Sequence, residues 1–288
     1  MLDESAVGLN MHERFSYSWR DIILYHLSVG AQQEELDYVY EKNLKVLPSF
    51  GVIPASATFG TDPYHENVVM PISVIKGLRT DGSLHMDSKL FIYKPIPTGA
   101  TLDIEKVISA VYDRGEGKGA KINVDLIARD REGEKLFSTT MGYLNRWYGG
   151  FGGPPVPHSD IRIPDREPDY SMDGKFPMNA NLLYRLTGDT YNLHVDPDFA
   201  KKAGFNGPII HGLCSLGYAC RMMISALIPG EPERVTSLEN QFRTVAYPGE
   251  AFCVNVWRTA DGEAVFRMVK LSDGKPILDY GRMRWKTV

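Results

Sequence analysis

The chain has few cysteines, no long apolar run and no surplus of basic residues, and each shortage excludes a class of protein. Only three of the 288 residues are cysteine and no CxxC pair occurs, so neither a disulfide framework nor a zinc site is expected. No apolar run approaches the ~18 residues of a membrane span. Lys and Arg total 32 against 36 Asp and Glu, which leaves no basic excess of the kind that nucleic-acid binding requires.

We also expect no sorting signal at either end of the sequence. Residues 1–11 contain acidic but no basic residues, unlike a secretory or transit peptide. Residues 284–288 read RWKTV and lack a peroxisomal tripeptide. Together with the few cysteines, this predicts a cytoplasmic or other reducing intracellular compartment.

The composition that is present suits a folded chain with a sizeable core, because 43% of the residues are hydrophobic. A stretch rich in glycine and proline, GGFGGPPVP at 149–157, continues neither a helix nor a central strand. We therefore predict an N-terminal half over 1–150, a linker over 151–170 and a C-terminal half over 171–288.

Each half contains apolar residues at alternate positions, as in a strand with one buried face. One such run follows Gly99 and another follows Gly249, and further runs are separated by charged, glycine-containing turns. Turns spaced ~8–12 residues apart indicate consecutive antiparallel strands.

Two segments have helical periodicity. Apolar residues recur every three or four positions over 213–227, and Pro229 with Gly230 would end that helix. A second helix is predicted from Trp19, with Ser18 and Asp21 as a capping box. A helix lying on an antiparallel sheet gives an α+β fold class.

The residues that could carry chemistry cluster just before the helix predicted over 213–227. Asp189 follows Gly188, and His194 lies five positions further on. A carboxylate and an imidazole in one short loop can reach the same water molecule or substrate proton. The same spacing also arises by chance, and an aspartate can simply cap a turn.

The start of that helix is the second candidate feature. A helix N-terminus offers unpaired N–H groups, and Gly212 would let a thioester or carboxylate oxygen approach them. Alternatively, Gly212 serves helix packing alone. We expect His211 to orient the helix start.

Two stretches match a known family closely. Residues 184–200 read YRLTGDTYNLHVDPDFA and residues 203–214 read AGFNGPIIHGLC. Together they resemble the signature of the (R)-specific enoyl-CoA hydratases, the MaoC-like or hydratase-2 family. The nearest resemblance is to the hydratase unit of the peroxisomal type-2 multifunctional enzymes. Segments of the first half, including 38–41, 47–52 and 93–95 with Pro97, resemble the same unit, so the resemblance covers essentially the whole chain.

The resemblance implies a double hot dog, with two antiparallel sheets that each wrap around a central helix. The C-terminal half would be catalytic. The N-terminal half would form an acyl channel, and its own helix, around 61–78, would be degenerate. The implied quaternary state is a homodimer.

The implied reaction is reversible hydration of a trans-2-enoyl-CoA to an (R)-3-hydroxyacyl-CoA. Asp189 and His194 would activate one water molecule, and the Gly212 N–H would form the oxyanion hole. No metal or redox cofactor is expected, because the thioester already activates the double bond, and coenzyme A is part of the substrate.

One departure from the family pattern concerns water positioning. The family reads Gly-Asp-x-Asn-Pro-Leu-His, whereas this chain has Tyr191 in place of Asn and Asn192 in place of Pro. Asn192 could replace the missing amide, or Tyr191 could supply a hydroxyl or narrow the pocket. Three alternatives stay open: a 3-hydroxyacyl dehydratase of a fatty-acid or polyketide pathway, a hot-dog thioesterase, and a catalytically silent acyl-CoA-binding protein.

Overall fold

The computed structural model describes residues 4–56, 72, 75, 78–79 and 83–287, and its dominant feature is one antiparallel sheet of ten strands. The strands are β1 (Asn10–Tyr17), β2 (Ser83–Ile92), β3 (Ala100–Asp113), β4 (Ala120–Arg129), β5 (Lys135–Asn145), β6 (Tyr170–Lys175), β7 (Val235–Phe242), β8 (Ala251–Ala260), β9 (Glu263–Lys270) and β10 (Pro276–Trp285). The helices are α1 (Trp19–Ser28), α2 (Leu36–Val39), α3 (Ile53–Ser56), α4 (Ala180–Arg185), α5 (Pro197–Lys202) and α6 (Gly212–Leu227).

The sheet has the strand order β1-β3-β4-β5-β2-β7-β10-β9-β8-β6. Its first five strands come from the first half of the chain and its last five from the second. The predicted α+β class is confirmed. The two predicted sheets are joined edge to edge, because β2 pairs with both β5 and β7. This pairing leaves neither β2 nor β7 as an open edge.

The predicted apolar helix is α6. It begins at Gly212 and ends at Leu227, just before Pro229, and most of its side chains are buried. It contacts strands β7, β8 and β10 of the second half. At Gly217 a Cβ atom would collide with the Val29 side chain and lie 2.9 Å from the Tyr25 hydroxyl oxygen. Glycine at this position therefore lets residues of the N-terminal half pack directly on α6.

The second predicted helix is α1, and its N-terminus has the expected partners. The Asp21 carboxylate accepts hydrogen bonds from the Ser18 N–H and the Ser18 hydroxyl, both at 2.8 Å. The helix ends at Ser28, and Gly30 follows at a φ of 83°, a conformation that glycine adopts without strain.

The degenerate helix expected around 61–78 lies outside the described residues, apart from Ile72, Ile75 and Leu78. In the part of the chain that the structure describes, no helix has the length and apolar character needed to cross a membrane.

Candidate active site

A short irregular loop between α4 and α5 holds the first two candidates. Gly188 has a φ of 138°, which an L side chain rarely adopts, and it turns the chain so that Asp189 follows. The Asn181 side-chain amide donates a hydrogen bond to the His194 backbone carbonyl at 2.6 Å. Asp196 then caps α5, accepting from the Phe199 N–H at 3.1 Å. The loop is thus fixed at both ends.

Asp189 and His194 lie together, as the sequence motif predicts. One carboxylate oxygen of Asp189 and one ring nitrogen each of His194 and His211 lie within 4.8 Å of one another. His194 is buried, with 8% exposure. Both Asp189 and His194 line one cavity, so the pair can reach a single small molecule bound there.

Hydrogen bonding orients the His194 ring. Its Nδ1 lies 2.9 Å from the Ile209 backbone oxygen, which can only accept, so Nδ1 carries the proton. The Nε2 atom of the neutral ring is then a free proton acceptor. Burial lowers the pKa of His194, against a smaller opposing effect of Asp189, and keeps the ring neutral at neutral pH.

Burial acts on Asp189 in the opposite direction. It raises the pKa of the Asp189 carboxyl above its ordinary value, while His194 and the Tyr191 N–H partly offset the effect. The Tyr191 N–H donates to the carboxylate at 3.3 Å. A carboxylate with a raised pKa is a stronger base than one in water, which suits proton transfer.

His211 adds a third titratable group that sequence reasoning assigned only to the helix start. It is the N-cap of α6, and its Nε2–H donates to the Asp189 backbone carbonyl at 3.1 Å. Its ring stacks on His194 with centroids 3.6 Å apart and planes at 22°. Burial and the nearby His194 hold the pKa of His211 well below its ordinary value. His211 thus connects Asp189, His194 and α6. In the sequence, the only indication of this role was its position directly before Gly212.

Gly212 is the first residue of α6, so its N–H is not used by the helix itself. A Cβ atom at Gly212 would lie 2.8 Å from Cδ1 of Phe242. Glycine therefore allows the Phe242 ring to pack against the helix start. Gly212, Asp189 and His194 line the same cavity.

Both halves of the chain form this cavity, whose volume is about 360 Å³. A β-bulge at 85–87 interrupts the pairing of β2 with β5, and bulges commonly re-aim side chains near functional sites. His85 stacks on Tyr143 with centroids 5.0 Å apart and packs on Phe242 at 4.7 Å. The sequence motifs did not identify His85 or Tyr143 as lining residues.

The two residues that depart from the family pattern occupy different places. Tyr191 lines the cavity and packs edge-on against Phe199, with centroids 5.4 Å apart. Asn192 begins a short 3-10 turn and is not among the lining residues of the described chain; its carbonyl accepts the Asp196 N–H at 2.8 Å. The geometry thus favours Tyr191 as a group that narrows the cavity.

Asp189, His194 and His211 are also a conceivable set of metal ligands. The two imidazoles are nearly parallel, however, and the lone pairs of stacked rings lie in parallel planes and do not converge on one tetrahedral or octahedral centre. The cluster as folded suits hydrogen bonding to a small molecule better than metal coordination.

Fold and site together define a double hot-dog protein with a polar site beside a helix N-terminus. The fold of the chain matches that of a Mycobacterium tuberculosis protein described as having a double hotdog fold, with a TM-score of 0.60 and 13% identity, covering 98% of this chain and 96% of that one. It also matches a MaoC-like dehydratase from Phytophthora capsici with a TM-score of 0.87 and 25% identity, covering 99% and 98% of the two chains.

Sequence comparison identifies the family. Residues 15–146 match the MFE-2 hydratase 2 N-terminal domain, and residues 161–278 match the MaoC like domain. An enoyl-CoA hydratase, ChsH3, from Mycobacterium tuberculosis is 33% identical over 85% of this chain and 84% of its own length. The chain belongs to the MaoC-like hydratase 2 family, which confirms the resemblance found in the sequence.

Proposed function

We propose that this protein is a hydro-lyase that catalyses the reversible hydration of a trans-2-enoyl-CoA to an (R)-3-hydroxyacyl-CoA. The observation that carries the proposal is the Asp189–His194 pair, whose polar atoms lie within 4.8 Å of each other in a cavity beside the N-terminus of α6. The name of the Mycobacterium tuberculosis relative, an enoyl-CoA hydratase, supports the same chemistry.

In the proposed mechanism, Asp189 and the free Nε2 of His194 hold one water molecule between them. As the water oxygen bonds to C3 of the enoyl group, one water proton passes to the Asp189 carboxylate, while the remaining O–H donates a hydrogen bond to His194 Nε2. Asp189 then delivers that proton to C2 on the same face. One water molecule and one acid–base pair therefore complete a syn addition.

The thioester oxygen gains negative charge as the water oxygen attacks C3. The Gly212 N–H, which α6 leaves unpaired, is the proposed donor to that oxygen. Donors of this type commonly contribute about 10²–10³ in rate, because they are fixed before charge develops. No metal or redox cofactor is part of the proposal, since the thioester itself activates the double bond.

The same catalyst would run dehydration, and the similar Phytophthora capsici protein is named a dehydratase. The direction used physiologically therefore depends on the supply of substrate. The thioesterase and the silent binder have weaker support. Against a thioesterase, an acid–base pair beside a helix N-terminus suits attack at C3 with charge on the thioester oxygen. Against a silent binder, Asp189 and His194 lie close together even though Tyr191 departs from the family pattern.

The function is tested by following the absorbance of the conjugated thioester of a trans-2-enoyl-CoA, with a parallel assay for free thiol. A hydratase removes the absorbance without releasing thiol, and chiral analysis gives the (R)-3-hydroxyacyl product. Release of thiol would indicate a thioesterase. No change in either signal would indicate a silent binder. Either of these two results would overturn the proposal.

Two further expectations accompany this function. A homodimer is proposed from the family resemblance, and light scattering that gives the mass of a monomer would contradict it. A reducing compartment is proposed because the three cysteines, Cys214, Cys220 and Cys253, are all free and buried.

A further inference from the structure

One basic residue stands out in the wall of the catalytic cavity. Among the lining residues that the structure describes, Arg243 is the only lysine or arginine. Arg243 is exposed to solvent, whereas His194 deeper in the cavity is buried. Arg243 therefore lies at the rim of the cavity. A long ligand bound inside would pass this residue where it emerges into solvent.

Arg243 is also held in place without an acidic partner. Its backbone N–H donates to the Ile277 carbonyl at 3.0 Å, which fixes the main chain beyond the end of β7. Its guanidinium lies 5.5 Å from the centroid of the Tyr280 ring, within the range of a cation–π contact. Within the described parts of the chain, it forms no ion pair. Its charge is therefore available to a ligand.

The residue beneath it has an unusual backbone. Tyr280 is the one non-glycine residue among those described with a positive φ, at 48°. Its N–H donates to the Asp279 carboxylate at 2.9 Å, and that buried carboxylate is paired with Arg267 at 2.8 Å. The register of β10 shifts at this point, as in a bulge. Strain of this kind persists where the surroundings fix it, and it frequently occurs at functional sites.

Arg243 also shares a wall with the proposed oxyanion donor. It directly follows Phe242, whose ring packs against Gly212. A thioester whose oxygen lies at the Gly212 N–H would have the rest of its carrier available to extend along this wall to the rim. Carriers of activated acyl groups are joined to the thioester through a pantetheine arm that ends in a phosphate, and arginine binds phosphate through paired, charge-assisted hydrogen bonds.

We propose that Arg243, supported by the ring of Tyr280, is a substrate-binding residue for a phosphate of the pantetheine-linked carrier. This inference rests on the proposed function, because it assumes a thioester at the Gly212 N–H. The phosphate has two sources. One is the phosphate attached to pantetheine, which coenzyme A and carrier proteins share, and the other is the nucleotide part that coenzyme A alone contains.

The test compares Arg243→Gln with the wild type on three substrates: crotonyl-CoA, crotonyl-phosphopantetheine and crotonyl-pantetheine. With crotonyl-CoA at low ionic strength, the variant should raise KM about three- to tenfold, with the change falling on KM rather than kcat. The effect should shrink in high salt, because the contact is at the exposed rim. With crotonyl-pantetheine, which has no phosphate, the variant and wild-type KM values should be about equal.

The phosphopantetheine substrate separates the two sources. A raised KM with this substrate assigns Arg243 to the phosphate that both carriers share, and an unchanged KM assigns it to the nucleotide part of coenzyme A. An equal rise with all three substrates, or no rise with any, would overturn the inference.

Two controls make the result specific. Arg258 also lies over a tyrosine ring, that of Tyr170 at 5.8 Å, but it does not line the cavity, so Arg258→Gln should leave KM unchanged. The second compares two variants of Tyr280: Tyr280→Asn suits the positive φ but removes the ring and should raise KM for crotonyl-CoA, and the ring-retaining Tyr280→Phe should give a lower KM than Tyr280→Asn.

Failure of the proposed function would be visible separately. If the wild type does not hydrate crotonyl-CoA, calorimetric titration of crotonyl-CoA into wild type and Arg243→Gln still measures the contact. The inference would be supported if the variant bound crotonyl-CoA more weakly than the wild type while both proteins bound crotonyl-pantetheine equally well. Equal binding of crotonyl-CoA to both proteins would contradict it.

Discussion

Replacing Gly212 with alanine tests the proposed oxyanion donor through its packing, since a backbone N–H cannot be removed by changing a side chain. The new Cβ would lie 2.8 Å from Cδ1 and 2.9 Å from Cε1 of Phe242, closer than ordinary van der Waals contact. The Phe242 ring must therefore move, or the first turn of α6 must shift. Phe242 packs on His85 at 4.7 Å and lines the cavity, so either movement changes the space beside the Gly212 N–H.

The expected size of the effect follows from this overlap. Overpacking of this kind destabilises a fold by about 1–3 kcal/mol. We expect Gly212→Ala to remain folded and to lose about 10²-fold in kcat for enoyl-CoA hydration, because a displaced donor no longer meets the thioester oxygen. Stability is measured by thermal unfolding, and activity by loss of the conjugated-thioester absorbance.

A second substitution identifies the cause. Phe242→Ala removes the ring that the new methyl group would contact. The double variant Gly212→Ala/Phe242→Ala should therefore be more active than Gly212→Ala alone, a non-additive result that marks direct coupling. Near wild-type turnover in Gly212→Ala would refute the role given to this helix start. A double variant no better than the single one would refute the steric argument.

Three further predictions follow from the site. The value of kcat/KM should be high at neutral pH and fall on acidification, because His194 must be unprotonated to act. Since burial lowers the pKa of His194, the midpoint should lie below about pH 6.5, and a midpoint above 6.5 in a pH profile would contradict this. His211→Phe keeps a flat ring beside His194 but loses the hydrogen bond to the Asp189 carbonyl, so kcat should fall about tenfold or more with little change in KM, and an unchanged kcat would remove the positioning role. Tyr191→Asn widens the cavity, so kcat/KM for a long or branched enoyl-CoA relative to crotonyl-CoA should rise about tenfold, and an unchanged ratio would show that Tyr191 does not limit the acyl group.

Local patterns in the sequence predicted α1, α6 and the loop before α5 well. The apolar spacing over 213–227 corresponds to α6, because that face is buried by the sheet. The Ser18–Asp21 pair predicted the start of α1, since both residues act within one helical turn. The interval from Asp189 to His194 predicted their proximity, because a short loop cannot separate them far.

Features made by distant segments were not predictable in the same way. The pairing of β2 with β7 joins strands that are far apart in the chain, and nothing in either strand specifies its partner. The stacking of His211 on His194 depends on how α6 meets the loop. His85 enters the cavity wall at a bulge, which no period in the sequence marks. The part of the site that could not be predicted from the sequence is therefore the part assembled by tertiary contacts.

The account depends most on Asp189 and His194 acting together on one water molecule. The most direct measurement is turnover of a trans-2-enoyl-CoA by Asp189→Asn and by His194→Gln, with thermal unfolding measured for each. Each variant should lose a few orders of magnitude in kcat. The unfolding temperature of Asp189→Asn should be unchanged or higher, since a neutral amide replaces a carboxylate whose ionised form is disfavoured by burial. Near wild-type turnover in either folded variant would contradict the proposed mechanism.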